Sequence, residues 1–114
     1  MFKRIFMVIL LLVFVSSVYA GFTGPGATAT LKTVASVNSM QDDDKITLEG
    51  YLVKEIRSEH YMFRDATGEI EVEIDNEDFR GVKATPETKI RIVGEVDKDR
   101  TSITVDVDYV EAVK

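Results

Sequence analysis

The chain has 114 residues, no cysteine, and 20 acidic against 14 basic residues, which gives a formal net charge of −6. This length predicts one small folded domain, and the lack of cysteine excludes disulfide bonds and thiolate metal sites. The acidic charge also argues against nucleic acid as a partner, because proteins bind phosphate backbones largely through lysine and arginine.

The first 20 residues have the pattern of a secretory signal peptide. Lys3 and Arg4 give a basic start, residues 5–15 form an apolar run, and small residues up to Ala20 form a cleavage site. We therefore predict cleavage after Ala20, a periplasmic location, and no stable membrane insertion of the mature protein, whose formal charge would be −8. The alternative is an uncleaved anchor, because residues 5–22 are uncharged and nearly long enough to cross a bilayer of roughly 30 Å.

Residues 21–30 are rich in Gly, Ala and Thr without an apolar period, and they predict a flexible lead-in to a domain that spans residues 31–114. Apolar side chains then recur at helical spacing and predict a short helix before the acidic turn at residues 42–44. These side chains belong to Leu31, Val34, Val37 and Met40.

Five strands follow, each indicated by alternation of apolar and polar residues. They cover residues 45–57, 61–64, 68–75, 89–96 and 102–113. Gly50 falls where the long first strand has to bend. The side chains expected to face the core are those of Ile46, Leu48, Leu52, Tyr61, Phe63, Ile90, Ile92, Val96, Ile103, Val105, Val107 and Tyr109.

The connections between the strands complete the predicted fold. Residues 65–68 and 97–100 predict tight turns, and residues 76–86 predict a connector in which Asn76 caps a short helical turn that holds Phe79. Three strands, a helical connector and two more strands is the order of the OB-fold. We therefore predict an all-β fold with small α content: a five-stranded OB-fold Greek-key barrel with a short N-terminal helix and a short helical connector between strands three and four.

The third strand alternates apolar residues with carboxylates, so it has one dry face and one acidic face. OB-fold proteins that bind single-stranded nucleic acid present aromatic and basic side chains on strands two and three, and here that face is acidic. A nucleic-acid partner is therefore not expected on this face. The candidate ligand-binding residues on the concave sheet are Tyr51, Met62, Arg64, Glu69, Glu71 and Glu73.

Four segments resemble the bacterial OB-fold (BOF) family of periplasmic stress-tolerance proteins, the YgiW/YdeI type. They are Gly-Phe-Thr-Gly-Pro at residues 21–25, Ile-Thr-Leu-Glu-Gly at 46–50, Tyr-Met-Phe-Arg-Asp-Ala-Thr-Gly at 61–68 and Gly-Glu-Val-Asp-Lys-Asp at 94–99. The resemblance implies a small exported protein associated with tolerance to oxidants, acid, toxic metals and other envelope stress. The family has no established enzymatic activity and no agreed site residues, so the resemblance assigns no role to any single residue.

The acidic clusters are weak candidates for metal binding. Asp75, Glu77 and Asp78 bring several oxygens together, as do residues 42–44, but neither cluster has the spacing of an EF-hand loop. Turn and helix-cap chemistry explains these residues more simply. We therefore predict no dedicated metal site and no cofactor.

The sequence shows no catalytic constellation. His60 is the only histidine, and we interpret it as an exposed residue that opens strand two, with a proton-sensing role as the alternative. No serine lies in the sequence context of an activated nucleophile. The chain is therefore not expected to be an enzyme, and an enzyme of unknown class is the less favoured alternative.

Two binding functions remain open. The first is an exported, monomeric OB-fold protein that contributes to envelope stress tolerance by non-covalent binding of a small or cationic ligand or an envelope component. The second is a protein-interaction module whose acidic face docks a basic partner, with association that weakens as salt is added.

Overall fold

Five strands make up most of residues 31–114, which are the residues that this computed structural model describes. The strands are β1 (Lys45–Arg57), β2 (His60–Asp65), β3 (Gly68–Ile74), β4 (Ile90–Lys98) and β5 (Ile103–Ala112). Two 3-10 helices lie at Val34–Ser39 and Asn76–Phe79. The predicted signal peptide and lead-in lie outside the described residues. Within the described part, no helix has the length and apolar character needed to cross a membrane.

The strands close into a barrel in the order β1-β2-β3-β5-β4. β1 pairs antiparallel with both β2 and β4, β2 pairs antiparallel with β3, and β4 with β5. Only the β3–β5 pair among these strands is parallel, and the connector between β3 and β4 supplies the crossover that a parallel pair needs. This arrangement confirms the predicted five-stranded OB-fold barrel, with a helical segment before β1 and another between β3 and β4.

The barrel interior is filled by the alternating apolar side chains. Phe63 of β2 is the largest fully buried residue, and the other four strands contribute β-branched or leucine side chains to the same core. All of these residues lie where the pleat points inward, and the period of two predicted the burial of all of them except Val110. The strand residues of this core are Ile46, Leu48, Leu52, Phe63, Val72, Ile74, Ile90, Ile92, Val96, Val105, Val107 and Val110.

A β-bulge shifts the inward pattern near the end of β5. The pairing register between β4 and β5 changes between Val93 and Gly94, and beyond this point Val110 lies opposite the buried Ile92. Val110 therefore belongs to the core, whereas the prediction placed Tyr109 there. Tyr109 is buried on the outer face instead, where the guanidinium of Arg80 lies 4.2 Å from the centre of its ring.

The segment before β1 differs from the predicted helix in two respects. Only Val34–Ser39 is helical, as a 3-10 helix with Val34 and Val37 buried, and Leu31 is 53% exposed. Leu31 instead forms a parallel bridge with Thr47, and the backbone N–H of Lys32 donates to the Thr47 carbonyl at 2.8 Å. This segment therefore adds to the edge of β1 at Thr47, which is buried although alternation predicted an outward position for it.

The turns also differ in detail from the predictions. Asp75, not Asn76, occupies the N-cap position of the second 3-10 helix, and Arg80 ends it in the left-handed region with φ of 51°. The β4–β5 turn lies at residues 99–102, two residues later than predicted, because β4 continues to Lys98. Asp99 sets this turn, since its carboxylate accepts hydrogen bonds from the backbone N–H groups of Thr101 and Ser102, both at 2.9 Å.

Candidate functional site

The six predicted ligand-binding residues lie on the outer face of β1, β2 and β3. In the pairing register Tyr51 lies opposite Arg64, and Arg64 lies opposite Glu69, so these three form one row across the strands. Met62 lies opposite Glu71, and Glu73 opposite His60. Cross-strand partners point to the same side of a sheet, so the strand register brings all six residues onto one surface.

This surface is divided between two open grooves. Tyr51 and Arg64 line a groove of about 490 Å³ at the end of β2. Met62, Glu69 and Glu71 line a second groove of about 470 Å³, between the first 3-10 helix and β3. The six predicted residues therefore share one surface but do not line one cavity, and Glu73 borders neither groove.

Glu71 is the centre of a small charged cluster on this face. Its Oε2 accepts a hydrogen bond from Arg57 Nη2 at 2.8 Å and lies 2.8 Å from His60 Nδ1. His60 is only one-quarter exposed, so its interpretation as a simple exposed residue was incomplete. In the described chain its ring contacts Glu71 and Arg57 rather than a hydroxyl group that could act as a nucleophile.

Carboxylates from three neighbouring strands form a larger feature, which we call the acidic wall. Glu73 of β3 lies opposite Asp106 of β5, and Asp106 lies opposite Glu95 of β4. Adjacent strands are about 4.8 Å apart, so this row carries three carboxylates over about 10 Å. The acidic wall consists of Glu73, Glu95, Asp97, Asp106 and Asp108.

The carboxylates of the acidic wall affect one another's ionisation. Partial desolvation and the charges of Glu73 and Glu95 raise the pKa of Asp106. Partial desolvation, a hydrogen bond with Glu95 and the charge of Glu95 raise the pKa of Asp108 to about 6. Lys45 partly offsets this charge, because its ammonium lies 2.7 Å from Glu95 and lowers the pKa of that carboxyl. The wall therefore carries more negative charge than its neighbours neutralise.

The weak metal candidates lie at the start of the connector. Asp75 precedes the second 3-10 helix, and Glu77 and Asp78 lie in its first turn. The charge of Glu59, followed by partial desolvation and the other nearby carboxylates, raises the pKa of Asp75. Across residues 31–114, no three histidine or carboxylate side chains are arranged to hold a metal ion. Weak metal binding by Asp75, Glu77 and Asp78 stays a prediction, and the described contacts of these residues add no support for it.

Sequence reasoning found the acidic side of β3 but missed the strands that extend it. The signal was present, because Val105-Asp106-Val107-Asp108 and Glu95-Val96-Asp97 repeat the same alternation. Their position beside Glu73 depends on the parallel pairing of β3 with β5, which joins residues more than thirty positions apart. Alternation within one strand does not specify that pairing.

Comparisons with known proteins agree with the barrel. The family model described as Bacterial OB fold (BOF) protein matches residues 15–112. The calcium-regulated OB-fold protein CarO of Pseudomonas aeruginosa is 45% identical over 95 residues, which is 83% of this chain and 82% of CarO. Protein YgiW of Escherichia coli K12 is 43% identical over 104 residues, 82% of this chain and 80% of YgiW.

Solved structures show the same fold. The structure of YgiW from E. coli has a TM-score of 0.73 at 41% identity, covering 83% of this chain and all of that chain. The telomere capping protein Ten1 of Schizosaccharomyces pombe has a TM-score of 0.59 at 18% identity, over 75% of this chain and 81% of Ten1. At that identity the likeness to Ten1 concerns the fold alone.

Proposed function

The chain belongs to the bacterial OB-fold (BOF) family, and from that premise we propose that it is an exported binding protein that contributes to envelope stress tolerance. In this proposal it acts by non-covalent binding of a cationic ligand or envelope component, and the acidic wall is the binding surface. The pattern of the first 20 residues supports export to the periplasm. The resemblance to periplasmic stress-tolerance proteins supports the physiological role.

The observation that carries the proposal is the alignment of Glu73, Asp106 and Glu95 across three strands. Like charges at this spacing repel one another, and the raised pKa values of Asp106 and Asp108 reflect that repulsion in part. A cationic ligand would relieve the repulsion, so binding and ionisation of the wall are linked. The attraction for a cation is spread over the carboxylates of the acidic wall, so it does not require several of them to coordinate the same ion.

The relatives suggest which cation to test first. CarO is named a calcium-regulated protein, and that name supports Ca²⁺ as a relevant ion for this family member as well. The carboxylates of the wall are the oxygen groups that Ca²⁺ prefers.

The spacing of the carboxylates favours a second cation. Because they are separated along the row, an extended polyamine can contact several of them at once, whereas a single ion cannot be tightly coordinated by all of them.

The test is an NMR titration of the ¹⁵N-labelled purified protein with CaCl₂ and, separately, with spermidine. We expect saturable amide shifts at residues 73, 95–97 and 106–108, with tighter binding of spermidine than of Ca²⁺. Replacing Glu73 by Gln together with Asp106 by Asn should weaken spermidine binding by about tenfold, because each lost charge removes on the order of 0.7 kcal/mol at a solvated surface.

The matched control is Glu55→Gln/Glu87→Gln, which removes two charges from exposed residues outside the acidic wall. This variant should bind spermidine as the unchanged protein does. Shifts scattered over the whole surface, or equal weakening by the control variant, would show that only the net charge attracts the cation. In a deletion strain, full stress tolerance with the Glu73→Gln/Asp106→Asn variant would rule out a role of the wall in that function.

A second candidate function is docking of a basic protein region. The distribution of the carboxylates over three strands favours it, because an extended acidic surface complements an extended basic one. The immobilised protein should then capture one envelope protein at 50 mM NaCl and release it at 500 mM NaCl, since screening weakens contacts between exposed charges. Capture that persists at 500 mM NaCl, or capture by the Glu73→Gln/Asp106→Asn variant, would contradict this function.

A further inference from the structure

The 490 Å³ groove lies where β1 changes its pairing partner. Up to Gly50 the strand pairs with β4, and from Tyr51 onward it pairs with β2. The groove at this change of partner is bordered by the end of β2, by Lys89 just before β4 and by the segment at residues 31–33. The volume is within the range of small-molecule sites in proteins, about 300 to 1,000 Å³.

The groove combines apolar surface with basic side chains. Leu31 is 53% exposed, the most of any large apolar side chain in the described chain, and the half-buried Tyr51 lines the same groove. Lys32, Arg64 and Lys89 also line the groove, and all three are exposed. This composition is unexpected for a chain with 20 acidic and 14 basic residues.

The carboxylates of the groove are already engaged within the protein. Asp65 accepts hydrogen bonds from the backbone N–H groups of Val34, Thr67 and Gly68, and from the Thr67 hydroxyl. Glu49 accepts two hydrogen bonds from the guanidinium of Arg91, at 2.7 and 2.9 Å. Both carboxylates of the lining are therefore already engaged by donor groups of the protein.

The cations of the groove, in contrast, have no ion-pair partner among residues 31–114. The ion pairs of that part of the chain involve Lys45, Arg57, His60 and Arg91. Arg64 lies opposite Glu69 in the β2–β3 register, yet the two side chains form no ion pair. The groove thus combines three cations that form no ion pair within residues 31–114 with the exposed apolar side chain of Leu31.

We propose that this groove binds a small organic anion that carries an aromatic or alkyl group. The apolar group packs against Leu31 and Tyr51, and the anionic head contacts Arg64 and one of the two lysines. A guanidinium binds a carboxylate or phosphate with two parallel hydrogen bonds, which makes Arg64 the principal contact. This site has the opposite charge preference to the acidic wall and does not depend on the function proposed for that wall.

The experiment is an NMR titration of the ¹⁵N-labelled purified protein with phenylacetate and, in a second arm, with phenyl phosphate. We expect saturable shifts of the amides at residues 31–33, 50–51, 64–67 and 89. Neutral phenylacetamide should bind at least about fivefold more weakly than phenylacetate, which corresponds to one solvated charge contact. Binding of either anion supports the site, and the tighter anion identifies the preferred head group.

Three variants test the charged contact of Arg64 and the apolar contact of Tyr51 separately. Arg64→Gln should weaken phenylacetate binding by about fivefold and leave phenylacetamide binding unchanged, because only the charge contact is lost. Tyr51→Ala should weaken both ligands. The matched control Arg100→Gln, which changes an exposed cation in the β4–β5 turn, should bind both ligands as the unchanged protein does.

Three results would overturn the proposal. The first is the absence of saturable shifts at the groove with both phenylacetate and phenyl phosphate up to 20 mM, and the second is equal affinity for phenylacetate and phenylacetamide. The third is equal weakening by Arg64→Gln and Arg100→Gln. The Glu73→Gln/Asp106→Asn variant should retain phenylacetate binding, so failure of the acidic wall as a binding surface is distinguishable from failure of this site.

Discussion

Asp65 connects two parts of the chain that lie 31 residues apart in sequence. One oxygen of its carboxylate accepts a hydrogen bond from Val34 N–H at the start of the first 3-10 helix, at 2.9 Å. The other accepts from the backbone N–H and the hydroxyl of Thr67 in the β2–β3 turn, at 2.7 and 2.6 Å. Partial burial tends to raise the pKa of Asp65, but these hydrogen bonds outweigh it and hold the pKa below its usual range.

Replacing Asp65 by Ala should lower the free energy of unfolding by about 2 kcal/mol, because a helix cap and a turn lose their acceptor together. Urea unfolding at pH 7 measures this loss. The folded-state pKa is lowered, so the stabilisation is present above about pH 4 and disappears as the pH falls through the folded value. The control Glu55→Ala removes an exposed carboxylate of β1 and should change stability by less than about 0.5 kcal/mol. Equal stability of Asp65→Ala and Glu55→Ala would refute this role of Asp65.

At the scale of the strands, the bend of β1 depends on Gly50. A Cβ atom at this position would overlap the carbonyl oxygen of Arg64 and lie 2.9 Å from Cζ of Phe63. Backbone and a fully buried ring cannot move aside easily, so Gly50→Ala should cost about 3 kcal/mol or prevent folding. Gly81→Ala is the comparison, because its Cβ would meet nothing within 4 Å and only its φ of 80° opposes the change. That variant should lose about 1 kcal/mol in urea unfolding, and an equal loss for both would disprove the steric argument.

The strands themselves were predictable because alternation is a local property. The inward positions of β1 and β4, such as Leu48 and Ile92, follow from the period of two, and their burial is confirmed. What alternation could not predict is the contact between strands. Thr47 is buried at an outward position, beside its bridge to Leu31, and Val110 takes the core position predicted for Tyr109 because of a bulge in the β4–β5 pair.

The same limit applied to the candidate site. The residue types of the outer face could be predicted from the sequence, and the pairing register places Tyr51, Arg64 and Glu69 in one row. The contact of Glu71 with Arg57 and His60 was not readable, because it requires the register of the β1–β2 hairpin. The division of the surface into two grooves depends on where the segment at residues 31–39 packs.

Over the whole molecule, two regions of the described surface differ in their excess charge. The acidic wall occupies β3, β5 and β4, whereas unpaired cations surround the groove at the corner of β1. The fold achieves this separation because the outer faces of different strands are independent of the shared core. A closed barrel can therefore carry a repulsive wall at a cost in stability that its core offsets.

That cost should be visible as a pH dependence of stability. The pKa of Asp108 is raised from its ordinary value of 3.8 to about 6 in the folded protein. Between about pH 4 and pH 6 the folded state therefore binds more protons than the unfolded state, and the free energy of unfolding rises as the pH falls. We expect the melting temperature to increase by about 2–4 °C from pH 7 to pH 5, a small shift because Asp108 is exposed to solvent.

The variant Asp108→Asn separates this residue from the general charge of the molecule. It should melt at a higher temperature than the unchanged protein at pH 7, because the amide keeps a hydrogen-bonding group beside Glu95 without adding a charge. Its melting temperature should also rise less between pH 7 and pH 5, whereas Glu87→Gln should keep the full rise. Addition of 0.5 M NaCl at pH 7 should narrow the difference between Asp108→Asn and the unchanged protein, since salt screens the repulsion within the acidic wall. Differential scanning fluorimetry over this pH series measures all four effects, and an undiminished rise in Asp108→Asn would assign the pH dependence to other carboxylates.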